Sequence, residues 1–148
     1  MLTIEITKDS LETEESQNIL KNIIRKKTKH KILYVNQDNS NNYLIEHILK
    51  NTFNSETFTA ATYNEACEVI RNKKLDLVIL DINLPCVITI EFLKKMKGNL
   101  ITKSIPVLAI YENDMLNDYK GAFGVDLDEL IVKPVSIGEL TDTINKLM

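Results

Sequence analysis

The chain has 148 residues, of which 44% are hydrophobic and 26% charged, a composition typical of an ordinary soluble globular domain. The formal net charge of −3 predicts no general attraction to nucleic acid or to an anionic membrane. Cys67 and Cys86 form no CxxC motif, which argues against a disulfide framework or structural zinc and favours a reduced, cytoplasmic compartment. No apolar run approaches the roughly 20 residues that span a bilayer.

Residues 1–30 are predicted to form an N-terminal extension. Alternating apolar residues over positions 2–6 predict a short strand, and Asp9 with Glu12 predicts the start of an amphipathic helix that reaches Arg25. The narrow apolar stripe of this helix leaves two interpretations open, a linker or surface helix and an oligomerisation or docking helix. Residues 31–148 are predicted to form a single domain.

Four short runs rich in Val, Ile and Leu follow the extension. They are too short for helices and do not alternate cleanly, so they predict strands buried on both faces, as in a parallel sheet. These runs are Lys31–Val35, Leu75–Leu80, Ile105–Ile110 and Leu130–Val132. A weaker alternating run, Glu56–Ala60, predicts an edge strand.

Each of the five predicted strands is followed by a stretch with helical character. The second and last stretches begin at capping boxes, Thr62 with Glu65 and Ser136 with Glu139. The third stretch ends at Gly98, and the fourth covers 114–121. The first stretch has apolar and aromatic residues at helical spacing: Tyr43, Leu44, His47, Ile48 and Leu49. Five strand–helix repeats predict an α/β fold with right-handed crossovers and helices on both faces of the sheet.

Polar residues cluster where the predicted strands end. In an open α/β sheet, ligands bind beyond the carboxyl ends of the strands, where the winding changes direction. Asn36, Gln37 and Asp38 follow the first strand, Asp81 follows the third, and Lys133 follows the last. A carboxylate and an ammonium that meet at this edge indicate either a phosphoryl-acceptor site or a structural ion pair.

Three segments resemble receiver domains of the CheY-like response-regulator family. They are LDLVILDINLP at 75–85, IPVLAI at 105–110 and ELIVKP at 129–134, and the resemblance covers about residues 31–148. It implies a (βα)5 fold, a doubly wound, five-stranded parallel sheet of order 2-1-3-4-5, as in flavodoxin-like proteins.

The resemblance also implies roles for individual residues. Asp81 stands at the position that accepts a phosphoryl group from a phosphohistidine, Asn83 at the position whose backbone carbonyl binds Mg²⁺, and Lys133 at the position that pairs with the phosphoryl oxygens. The peptide bond between Lys133 and Pro134 is expected to be cis.

The metal-binding positions depart from the family pattern. Receivers carry two acidic residues where this chain has Asn36 and Gln37, and the amides remove two negative charges from a site for a hard cation. Asp38 either compensates as a ligand or caps the following helix. Mg²⁺ binding is therefore expected to be weak, with Asp81 and the Asn83 backbone as ligands and weak contributions from the three residues after the first strand.

Two further departures affect the switch positions of the family. Tyr111 replaces the usual Thr or Ser, and its ring either fills part of the pocket or turns outward as a surface contact. Leu130 replaces the aromatic residue that commonly changes rotamer on activation.

These features favour a receiver-like module of two-component phosphorelay signalling, not an enzyme, that acts through protein–protein contacts with weak or absent phosphorylation of Asp81. The alternative is a functional Mg²⁺-dependent receiver, either stand-alone or from a hybrid histidine kinase, since MLTIEIT resembles the closing strand of a kinase ATP-binding domain. A nucleotide-binding enzyme is disfavoured because NQDNSNN lacks glycine.

The expected partner is a histidine kinase or a downstream target. It would bind the face formed by the predicted helix 114–121, the fifth strand and the last helix. A homodimer is left open.

Overall fold

The computed structural model describes residues 13–27, 29–36, 42–82, 87–111 and 127–148. In chain order the elements are α1 Glu14–Lys27, β1 His30–Asn36, α2 Asn42–Phe53, β2 Ser55–Ala60, α3 Tyr63–Asn72, β3 Leu77–Ile82, α4 Val87–Gly98, β4 Val107–Tyr111, β5 Glu129–Val132 and α5 Ile137–Leu147. Within these ranges, no helix combines the length and the apolar character that crossing a membrane requires.

The five strands form one parallel sheet in the order β2-β1-β3-β4-β5. Both the parallel α/β class and the predicted strand order are confirmed. The weakest predicted strand, β2, lies at one edge and pairs with β1, from His30 opposite Ser55 to Val35 opposite Ala60. The winding reverses between β1 and β3, and the carboxyl ends of the strands at such a reversal are where open α/β sheets bind ligands.

Each face of the sheet is covered by two of the described helices. One core cluster joins the sheet to residues of α3 and α4, and the other joins it to residues of α2 and α5. All six residues of β3 are buried because this strand lies at the centre of the sheet and between the two clusters. Burial on both faces explains why the strand sequences are almost continuously apolar.

The strands extend further toward the candidate site than the sequence predicted. The third strand begins at Leu77 and runs through Ile82, so Asp81 lies inside the strand and not after it. The reason is that the ladder continues across the sheet, with Asn36 opposite Asp81 and Ile82 opposite Tyr111. The side chains at this edge are therefore held by strand backbone.

Two helices differ from their predictions. The first begins at Glu14, where the Thr13 hydroxyl accepts the Ser16 N–H at 3.1 Å; Asp9, Glu12 and the predicted strand over 2–6 lie outside the described residues. In α2, Tyr43 and His47 face solvent, and the buried stripe consists of Ile45, Ile48 and Leu49. The predicted helix over 114–121 also lies outside the described residues.

Both predicted capping residues are confirmed. The Thr62 hydroxyl accepts the Glu65 N–H at 3.2 Å, and the Ser136 hydroxyl accepts the Glu139 N–H at 3.0 Å. The Glu65 carboxylate reaches back to the N–H of Ala61 at 2.9 Å, one residue before the cap. Gly98 ends α4 without adopting a left-handed conformation, and the Thr102 hydroxyl instead binds the free carbonyl of Met96 at 2.6 Å.

Thr62→Ala should lower the free energy of unfolding by about 1 kcal/mol, because it leaves an N–H at the start of α3 without its acceptor. Thr62→Ser keeps the hydroxyl and should remain close to the parent protein. Urea denaturation followed by circular dichroism measures both variants. Equal losses in the two variants would show that the hydroxyl contributes nothing.

Candidate functional site

The candidate site lies at the carboxyl ends of the central strands. Asn36 is the last residue of β1, and Asp81 is directly opposite it on β3. Lys133 directly follows β5, and its backbone N–H donates to the carbonyl of Tyr111 at 2.8 Å. The sheet thus brings the predicted carboxylate and ammonium to one edge.

Asp81 is buried, and both of its carboxylate oxygens are contacted. Its side chain is 4% exposed, and the Lys133 ammonium lies 2.8 Å from Oδ1. The contact with Oδ1 lacks hydrogen-bond alignment and is therefore an ion pair. The Tyr34 hydroxyl donates a hydrogen bond to Oδ2 at 2.8 Å. The carboxylate is held between a cation and a phenol.

Tyr34 is a site residue that the sequence reasoning missed. Its side chain is fully buried, although its hydroxyl is polar. The signal was present, since Tyr34 precedes Asn36 by two positions and therefore shares its face of β1. A phenol in an otherwise aliphatic strand, on the face that carries the site residues, could therefore have been predicted to contact the site.

Asn36 orients the phenol. It is 2% exposed, and its side-chain amide donates to the Tyr34 oxygen at 3.1 Å. The phenol oxygen accepts from Asn36 while its O–H donates to Asp81. Asn36, Tyr34 and Asp81 consequently form a continuous hydrogen-bonded chain across β1 and β3.

The peptide bond between Lys133 and Pro134 is cis, as predicted. The Lys133 side chain is 19% exposed, so it reaches the buried carboxylate from a partly solvated position. Asp81 and Lys133 therefore form the ion pair that was one of the two interpretations of these residues.

Tyr111 ends β4 and is 2% exposed, so the second of its two alternatives, an outward surface contact, does not occur. It belongs to the core cluster of α3 and α4, because it pairs with Ile82 and so lies on the face opposite to Asp81. Burial raises the pKa of the Tyr111 phenol above its ordinary value.

Several predicted residues lie outside the described part of the chain. They are the proposed metal ligands Gln37, Asp38 and Asn83. Leu130, which the resemblance predicted at the aromatic switch position, is 39% exposed on β5. Within the described ranges, no group of three or more His, Cys, Asp or Glu residues is arranged to hold a metal ion.

The sequence profile of the family described as "Response regulator receiver domain" matches residues 32–145. The chain belongs to this receiver family. Receivers are signalling modules of two-component systems, in which they interact with histidine kinases and downstream partners. Among curated relatives, the sporulation initiation phosphotransferase F of Bacillus subtilis (strain 168) is 34% identical over 114 residues, covering 72% of this chain and 86% of the relative.

Solved receiver structures have the same fold. The chemotaxis response regulator CheY4 of Vibrio cholerae matches with a TM-score of 0.71 and 25% identity, covering 82% of this receiver and all of that chain. The receiver domain of the sensor histidine kinase PA1611 of Pseudomonas aeruginosa PAO1, described with a magnesium ion in its active-site cleft, matches with a TM-score of 0.70 and 18% identity, covering 81% of this receiver and 98% of that chain.

Proposed function

We propose that this receiver acts in two-component signalling mainly through protein–protein contacts, with weak or absent phosphorylation of Asp81. The observation that carries the proposal is the engagement of both Asp81 oxygens, by Lys133 at 2.8 Å and by Tyr34 at 2.8 Å. A carboxylate that attacks phosphorus must be accessible to the phosphoryl donor, and this side chain is 4% exposed.

The described donor groups are a poor fit to Mg²⁺. This ion prefers hard oxygens in octahedral geometry, usually including carboxylates. Asp81 is a carboxylate already paired with a cation, and Asn36 supplies an uncharged amide whose N–H₂ donates to Tyr34. When bound, Mg²⁺ would offset the repulsion between Asp81 and an incoming phosphoryl group. The poor fit supports weak phosphorylation, and Gln37, Asp38 and Asn83 remain proposed ligands only.

The proposed docking face includes β5 and α5, together with residues 114–121. Leu130 on β5 is 39% exposed and Ile137 on α5 is 60% exposed. Exposed apolar side chains on adjoining elements suit a protein contact. A histidine kinase or a downstream target is the proposed partner, and a second copy of the chain is an alternative occupant.

A functional Mg²⁺-dependent receiver is the second candidate. It is favoured by the retention of Asp81 and Lys133 in direct contact and by the 34% identity to a phosphotransferase of sporulation initiation. A phosphoryl group adds about −1.5 to −2 charges at neutral pH, enough to change how a surface pairs with its partner.

Intact-protein mass spectrometry after incubation with acetyl phosphate and Mg²⁺ separates the two candidates. We expect little or no gain of a phosphoryl group in the folded parent protein, and none in Asp81→Asn. Near-complete labelling of the parent, absent in Asp81→Asn, would instead establish the functional receiver. Circular dichroism of both samples verifies that the unlabelled protein is folded.

A further inference from the structure

Tyr34 places a phenol in a core cluster whose other buried members are aliphatic. It is 0% exposed, and its core cluster contains Ile32, Ile79 and Ile110. A buried hydroxyl destabilises the fold unless it is hydrogen-bonded. Tyr34 meets this requirement by donating to Asp81 at 2.8 Å and accepting from Asn36 at 3.1 Å. The phenol and the acceptor carboxylate therefore depend on each other.

We propose that Tyr34 is a positioning residue that holds the Asp81 carboxylate in place and suppresses its phosphorylation. We call the hydrogen bond from the Tyr34 hydroxyl to Asp81 the lock. This inference rests on the proposed function and assigns the weak phosphorylation to a specific hydroxyl of the chain. During transfer from acetyl phosphate, an Asp81 oxygen bonds to phosphorus while the P–O bond to the acetyl group breaks, and acetate leaves with the electron pair. A hydrogen bond from Tyr34 withdraws electron density from Oδ2 and holds the carboxylate in its ion-paired orientation.

Asn36 determines the direction of the hydrogen bond between Tyr34 and Asp81. Because its amide N–H₂ donates to the phenol oxygen, the phenol proton is directed to Asp81. A carboxylate at position 36 would accept hydrogen bonds instead, and it would compete with Asp81 for the Tyr34 proton. Asn36 therefore has two effects. It provides no carboxylate for a metal ion, and its amide orients the Tyr34 hydroxyl toward Asp81.

If the lock suppresses phosphorylation, removing the Tyr34 hydroxyl should raise the rate at which Asp81 is phosphorylated. In Tyr34→Phe, the initial rate of Asp81 labelling by acetyl phosphate and Mg²⁺ should rise at least about tenfold over the parent, because the lower end of the value of a hydrogen bond to a charged group corresponds to about a factor of ten. Tyr63→Phe is the matched control, because the Tyr63 hydroxyl is bonded to Thr89 and the ring packs on the other face of the sheet. This control should leave the labelling rate unchanged.

Saturating Mg²⁺ distinguishes the lock from an indirect effect on the metal. The gain in Tyr34→Phe should persist when Mg²⁺ is saturating, whereas a variant that only binds the ion better would reach the parent rate there. Tyr34→Leu repeats the test with an aliphatic side chain, should Tyr34→Phe fold poorly. Asp81→Asn should remain unlabelled in either background.

Different results would contradict the lock and the proposed function. Equal rates in the parent and Tyr34→Phe, including no labelling in either, would overturn the lock, because the hydroxyl would then not limit the reaction. Near-complete labelling of the parent would overturn the proposed function, and the ratio of the two rates would still decide the lock. A slow parent with a tenfold faster Tyr34→Phe would support both.

Discussion

Lys133→Met should lower the free energy of unfolding by about 3–5 kcal/mol at neutral pH. Methionine has a similar length but no charge, so it leaves a carboxylate that is 4% exposed without the ammonium that lies 2.8 Å away. A buried charge that loses its partner is far more destabilising than the loss of an exposed ion pair. Urea denaturation followed by circular dichroism, with linear extrapolation, measures the change.

Lys146→Met is the matched control for this prediction. Lys146 also pairs with a carboxylate, that of Glu129, but its side chain is 71% exposed. Its loss should cost about 1 kcal/mol or less. The double variant Asp81→Asn with Lys133→Met should recover much of the stability, because it removes the unpaired charge. A Lys133→Met loss no larger than that of Lys146→Met would contradict the buried ion pair.

Leu93→Ala should lower the free energy of unfolding by about 2–5 kcal/mol. Leu93 on α4 is 0% exposed and belongs to the core cluster that joins α3 and α4 to the sheet. The substitution removes three carbon atoms from a packed interior, and surrounding side chains refill such a cavity only in part. The same denaturation experiment measures it, and the slope of the transition verifies that unfolding remains cooperative.

Leu100→Ala makes the same chemical change two residues beyond the end of α4. Leu100 is 81% exposed, so its truncation leaves no cavity and should stay within about 0.5 kcal/mol of the parent. If both leucine variants lost similar stability, the assignment of Leu93 to the core would be wrong. A large difference would establish that α4 is packed on the sheet through Leu93.

Most of the fold was predictable from local patterns. Continuous apolar runs indicated the central strands, and the hydroxyl–carboxylate spacings at Thr62 and Ser136 located two helix starts. Strand ends were less predictable, because pairing with a neighbour extends β3 to Ile82 beyond the apolar run. In α2, the residues Tyr43 and His47 have aromatic rings at helical spacing, yet the packing against the sheet buries Ile45 and Ile48. The division of the chain at residue 30 and the cytoplasmic location stay predictions.

The candidate site was predictable only in part. The apolar runs predicted that Asp81 and Lys133 each follow a strand, so the rule that ligands bind at the carboxyl edge of the sheet predicted from the sequence that the two residues lie close together. Tyr111 was assigned a choice between the pocket and the surface, and the alternation of β4 instead places it in the core opposite to Asp81. Position alone did not reveal which face its ring occupies.

Local sequence patterns were sufficient to predict the receiver fold and the amides Asn36 and Gln37 where the family pattern has acidic residues, because strand runs, helix caps and motif spacing are local properties of the chain. The contacts of the Asp81 carboxylate, in contrast, follow from the packing of the strands. Tyr34 and Asp81 are 47 positions apart, and their hydrogen bond exists because the parallel register sets Asn36 beside Asp81 and Tyr34 beside Ile79. Contacts between strands depend on that register, which no single segment encodes.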